Sequence, residues 1–163
     1  MDYVIKQVSS RYLNEIAKIA SETNKLKLAE SLLLFKKEFL QIHSERLSQD
    51  KRLMIFVALD SKDQVCGYAR LKYHKQTDKE PSGWYQMGLI VKKGLRRKGI
   101  ATLLCKDREN WLHDCKETFC FINSNNKASI DLHKKLGFTL IDDDFKFPNV
   151  DFTNGCGLLF CKY

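Results

Sequence analysis

The chain has 163 residues, 44% of them hydrophobic and 29% charged, and a formal charge of +8. That size and balance fit one domain around one core (residues 1–163), and two prolines and eight glycines leave no room for a long linker or a low-complexity tract. No stretch approaches the apolar length that spans a bilayer, and MDYVIKQVSS lacks the apolar run of a signal peptide, so a soluble cytoplasmic protein is expected.

Tyr3 to Val8 alternates apolar and polar residues and predicts a first strand. A helix follows, capped by Ser9 or Ser10, with Leu13, Ile16, Ala17 and Ala20 at helical spacing. A second helix is predicted from about Leu26 to Leu47, its stripe formed by Leu28, Leu32, Phe35, Phe39 and Ile42. LMIFVALD and VCGYARLKY, separated by the polar SKDQ, predict a hairpin. HKQTDKEPSG is a loop broken by Pro81 and Gly83, and WYQMGLIV is the next strand.

After a basic turn, a helix from about Lys98 to Cys115 would bury Ile100, Leu103, Leu104, Trp111 and Leu112. Thr118 to Ile122 is a strand, and NSNN leads into a helix from Lys127 to about Leu136 that Gly137 ends in a left-handed conformation. Phe138 to Ile141 and Gly157 to Cys161 are the last strands, with an acidic loop between them. The expected class is α/β (α+β): a central mixed, mostly antiparallel twisted sheet of about seven strands with about four helices on its faces.

Six cysteines form no CxxC pair and the histidines complete no zinc spacing, so no metal is expected and the thiols read as small core residues of a reducing compartment.

The chemistry concentrates in VKKGLRRKGIATLL, residues 91–104, where five of the first eight residues are cationic and glycines stand at 94 and 99. A helix start carries N–H groups without partners and a partial positive charge, which suits a phosphate or pyrophosphate. Gly99 lets oxygens approach its amide, Ala101 is nearly as small, Thr102 adds a hydroxyl, and Arg96, Arg97 and Lys98 supply charge. Gly94 and Gly99 have the P-loop spacing, but Ile100 and Ala101 stand where Lys and Ser/Thr are required; GxGxxG is also absent. Arg96-x-x-Gly99-x-Ala101, after a strand and opening an amphipathic helix, is the pattern that fits.

This unit resembles the pyrophosphate motif R/Q-x-x-G-x-G/A of the GNAT superfamily of acyl-CoA N-acyltransferases. NKASIDLHKKLGF (126–138) resembles the second signature of that superfamily, and FVALDSKDQVCGYARL resembles its hairpin. The resemblance covers about residues 53–140. It implies that backbone groups of Leu89, Ile90 and Val91 pair with the pantetheine arm of acetyl-CoA. It implies that amides from Arg96 through Arg97, Lys98, Gly99, Ile100 and Ala101 to Thr102 hold the pyrophosphate, and that Asn126 bonds pantetheine with Ser129 close by. The frequent tyrosine beside the CoA sulfur is His133 here, as in a branch that includes phosphinothricin-type acetyltransferases. Relatives are often dimers, so a homodimer is possible.

The implied reaction moves an acetyl group from acetyl-CoA to an amine by direct attack. A primary amine with a pKa near 10.4 is only about one part in two thousand neutral at pH 7, so it must lose a proton. A backbone N–H at Ile90 or Val91 would stabilise the oxyanion by roughly 3 kcal/mol. His133, as imidazolium, would protonate the leaving thiolate. The strand before the turn has no carboxylate; Tyr85 and Gln86 can only orient a water, so proton loss through ordered water or binding of a neutral amine is expected. Glu30 and Glu38, on the second helix, could reach the mouth of the site but read chiefly as solvated helix charges. Trp84, Tyr85, Phe145 and Phe147 are either core or the wall of an acceptor pocket. Asp142, Asp143 and Asp144 would attract a cation or simply form a solvated turn. The acceptor is a small-molecule amine or a protein amine. The rivals are a non-catalytic acyl-CoA-binding or regulatory module and a nucleic-acid binder using residues 92–98. Nucleic-acid binding spreads charge over a face, whereas here it is confined to one turn, so no nucleic-acid partner is expected.

Overall fold

A computed structural model describes residues 2–163. It contains seven strands, β1 (Val4–Gln7), β2 (Leu53–Leu59), β3 (Val65–His74), β4 (Gly83–Val91), β5 (Thr118–Asn123), β6 (Thr139–Phe145) and β7 (Gly157–Lys162). Four α-helices accompany them: α1 (Leu13–Asn24), α2 (Leu28–Ser44), α3 (Ile100–Trp111) and α4 (Lys127–Lys135). The strand order is β1-β2-β3-β4-β5-β7-β6. β1 runs antiparallel to β2, and β7 runs antiparallel to both β5 and β6. β4 and β5 are parallel, with Trp84 opposite Thr118 and Tyr85 opposite Phe119. The mixed sheet of seven strands with four helices is the expected class.

The chain divides into two compact units. One runs to Leu71 and resumes over Gly88–His113; the other comprises Lys72–Met87 and Asp114–Tyr163.

In the first unit α1 and α2 pack together, and both α2 and α3 contact β2. All seven residues of β2 are buried, which is why LMIFVAL reads as a continuous apolar run rather than an alternation. Its core joins Ile16, Ala17, Phe35, Ile55, Val57 and Tyr68. The hairpin between β2 and β3 is set by Asp60, whose Oδ1 accepts from the amides of Lys62 and Gln64. The predicted α2 stripe holds for Leu32, Phe35, Phe39 and Ile42, but Leu28 is exposed because it lies in the first turn. The predicted inner face of α3 holds for Ile100, Leu104 and Leu112, but Leu103 is 37% exposed and Trp111 half-buried, and Cys105 and Arg108 are buried instead. Arg108 can occupy a core position because its guanidinium donates to the Arg70 carbonyl at 3.2 Å and to the Cys105 sulfur at 3.1 Å.

In the second unit Tyr85, Phe119, Phe145, Leu159 and Cys161 form one core, with Phe121, Phe147 and Phe152 packed against it. A second cluster joins Cys120, Ile122, Phe138 and Phe160. Here too an expectation is corrected: Asp142–Asp144 are not a loop but part of β6. β6 is last in the strand order and exposed over six of its seven residues, so its polar side chains meet water while its backbone pairs with β7 through two register shifts. All six cysteines are free, four of them buried, with Cys115 exposed and Cys156 intermediate.

Candidate active site

The basic turn is a backbone device. β4 ends at Val91, and the Lys92 amide returns to the Cys66 carbonyl at 2.8 Å. The Leu95 amide then closes a tight turn on the Lys92 carbonyl at 3.0 Å. Three of the six residues from Gly94 to Gly99 are left-handed: Gly94 (φ 89°), Arg97 (φ 65°) and Gly99 (φ 82°). Such alternation turns successive N–H groups toward one side and makes a concavity for an anion. Gly99 is the N-cap of α3, and no side chain caps that end. The first intrahelical bond runs from the Leu103 amide to the Gly99 carbonyl at 3.1 Å, so the amides before it have no acceptor within the helix.

A Cβ built on Gly99 would meet nothing within 4 Å, as would one on Gly94, so the space beside the turn is open. Lys92, Lys93, Arg96, Arg97 and Lys98 are exposed around it, whereas Ile100 anchors the helix in the core. Arg96 is tied back through Nε to the Val91 carbonyl at 3.3 Å, joining the strand end to the turn. Leu89, Ile90 and Val91 end β4 and lead into the 96–102 turn. Open amides, a helix start and surrounding cations fit a diphosphate.

Asn126, Ser129 and His133 lie together on the second unit's α4. Asn126 caps this helix: its Oδ1 accepts from the Ser129 amide at 3.2 Å. Its side-chain NH2 is a donor that capping does not use. The other end closes as predicted. Gly137 is left-handed (φ 91°), its amide donates to the Lys134 carbonyl, and the Phe138 amide donates to the His133 carbonyl, both at 3.0 Å. Phe138 also packs edge-on against the His133 ring at 5.3 Å. His133 is only 3% exposed, and its Nδ1 lies 2.8 Å from the Ser129 carbonyl. A carbonyl only accepts, so Nδ1 is the donor in that contact.

Tyr85 and Gln86 differ sharply. The Tyr85 hydroxyl donates to the Pro81 carbonyl at 2.8 Å, and burial pushes its phenol far above the ordinary range, so it stays protonated. Gln86 is buried, with neither amide atom partnered among the described residues. Buried Glu80 in the preceding loop was not singled out by sequence. It gathers the His74 ring at 2.7 Å together with the amide and hydroxyl of Thr77. The His74 hydrogen bond, reinforced by Thr77, holds its carboxyl well below the usual range against the opposing effect of burial. Glu30 is exposed, but Glu38 is not a freely solvated charge: it pairs with Arg70 at 2.8 Å.

The fold and the strand-turn-helix unit define a class, the acyl-CoA N-acyltransferase fold. The model of the Acetyltransferase (GNAT) family matches residues 13–138, and the chain belongs to that family. Its fold is similar to that of a PaiA N-acetyltransferase from Thermoplasma acidophilum in complex with coenzyme A, with 17% identity, 99% of each chain covered and a TM-score of 0.71. It is also similar to a phosphinothricin acetyltransferase from Sinorhizobium meliloti in complex with acetyl-CoA, at 19% identity and TM-score 0.73, covering 99% of this chain and 88% of that one. NAA60 from Arabidopsis thaliana, in complex with a bisubstrate analogue, is 14% identical with a TM-score of 0.69 over 99% and 97% of the two chains. No curated protein matches the sequence.

Proposed function

We propose that the protein transfers an acetyl group from acetyl-CoA to a primary amine by direct attack. The observation that carries this reading is the open, uncapped start of α3 behind Gly94, Arg97 and Gly99. Acetyl-CoA supplies the activated acetyl group as its thioester. Amides from Arg96 to Thr102 hold the diphosphate, and the backbone of Leu89, Ile90 and Val91 takes the pantetheine arm as an added strand. Asn126 contributes its unused NH2 to that arm, with Ser129 beside it. A backbone N–H of Ile90 or Val91 steadies the developing oxyanion. His133 returns a proton to the leaving sulfur through Nε2, because Nδ1 is committed to Ser129. Gln86 orients a water that carries away the amine's proton; Tyr85, fixed on Pro81, does not.

A thermal-shift assay tests the reading. Saturating acetyl-CoA is expected to raise the melting temperature through linkage, and a duplex oligonucleotide is not. No shift with acetyl-CoA rejects the proposal, and a shift with the duplex alone favours the nucleic-acid reading. For His133, the expected result is that His133→Ala lowers kcat and removes one limb of its pH profile. A variant that melts earlier yet keeps the wild-type profile assigns the ring to packing alone.

A further inference from the structure

The first unit contains one partly desolvated ion pair that the reaction as described does not use. On α2, Ser31, Phe35 and Glu38 follow one another at i, i+4 and i+7 and so share a face. Phe35 is fully buried and meets Tyr68 of β3 edge-on at 5.2 Å. The Arg70 guanidinium lies over both rings, 4.7 Å from Phe35 and 5.7 Å from Tyr68. Its Nε donates to Oε2 of Glu38 at 2.8 Å, with the two side chains 16% and 18% exposed. Packed between rings and carboxylate, Arg70 has little freedom, and its Nε holds the Oε2 atom of Glu38 in place. Oε1 of Glu38 accepts nothing from the described residues.

Two further observations bear on what Oε1 is for. Arg70 lies against Gly88 of β4: a Cβ on that glycine, whose φ is 62°, would come 2.9 Å from its Nη1. The pair therefore adjoins the strand immediately before Leu89, Ile90 and Val91. On the same face of α2, the buried Ser31 hydroxyl has no hydrogen-bond partner among the described residues. Tyr68 is not the acidic group here, because burial pushes its phenol up to about 12.

We propose that Glu38, oriented by Arg70, is the carboxylate that receives the acceptor's ammonium group, so that the acceptor is a cationic primary amine. This rests on the acetyltransferase reading. It adds to that reading a specificity-determining residue on α2: Oε2 is committed to the protein, and Oε1 is presented to the ligand. A carboxylate held by one guanidinium retains acceptor capacity for a second cation, and a charge-assisted bond at such a partly shielded position contributes strongly to affinity.

The test is an NMR titration of the full chain, with n-butylammonium as probe and n-butanol as its neutral isostere. The Arg70 Nε–H and Glu38 amide signals are expected to move with n-butylammonium and to stay in place with n-butanol. Glu38→Gln keeps the shape and removes the charge, and it should weaken n-butylammonium binding about tenfold or more. If that variant fails to fold, Arg70→Lys serves instead. It retains a cation but loses the Nε bond, and should weaken binding in the same direction. Equal response to the alcohol, unchanged affinity in the variants, or an unmoved Arg70 Nε–H overturns the proposal. The acetyl-CoA thermal shift, read on the same samples, separates this failure from failure of the acetyltransferase reading.

Discussion

Gly99→Val is expected to weaken acetyl-CoA binding about 10- to 100-fold while the protein still folds. Gly99 sits at φ 82°, with open space where a side chain would stand. A branched side chain there blocks the approach to the amides at the start of α3 and resists the left-handed backbone that aims them. The loss corresponds to one charge-assisted hydrogen bond, or two, at about 1.5–3 kcal/mol each. The strain itself costs on the order of 1–3 kcal/mol, so the melting temperature falls by several degrees without loss of cooperativity. Calorimetric titration of wild type and variant with acetyl-CoA checks this, and equal affinities would mean that the diphosphate is held elsewhere.

Gly67→Ala is expected to have the larger effect on stability. A Cβ at Gly67 would stand 2.7 Å from the Ile90 carbonyl oxygen and 3.2 Å from the Val91 Cα. Both neighbours are backbone, and neither can swing aside as a side chain would. β3 and the end of β4 must therefore move apart, at a cost of about 2–3 kcal/mol. For a chain of this size that lowers the melting temperature by roughly 5–10 °C. Because Ile90 and Val91 are the proposed partners of the pantetheine arm, acetyl-CoA affinity should fall as well. A melting temperature equal to that of wild type would show that the two strands tolerate the methyl group.

Glycines in left-handed positions show why much of this protein was legible in its sequence. Gly94, Gly99 and Gly137 occupy backbone positions that other residues adopt only under strain, so residue type reports local geometry directly. The Asn126 cap and the glycine-terminated end of α4 are legible for the same reason, because each bond spans only three to five residues. The seven strands and four helices followed from apolar periodicity, with boundaries shifted by a few residues where helix ends fray.

What the sequence did not reveal depends on partners far along the chain. Glu38 and Arg70 stand 32 positions apart, and no periodicity marks one as the other's partner. Arg108 was not among the expected inward positions of α3, because composition does not show the Arg70 carbonyl and Cys105 sulfur that accept from its guanidinium. Asp142–Asp144 read as a loop because an edge strand needs backbone pairing but no apolar face, and composition carries no sign of that pairing. Gln86 was visible as a residue, but nothing in WYQMGLIV tells that its amide is buried while the neighbouring Tyr85 is already engaged.

A crystal structure of the protein with acetyl-CoA tests the central claim most directly. The account predicts diphosphate oxygens within hydrogen-bonding distance of the backbone amides between Arg96 and Thr102, with the pantetheine arm along Leu89–Val91. Well-defined density for the nucleotide at any other surface, with those amides left to solvent, would contradict it.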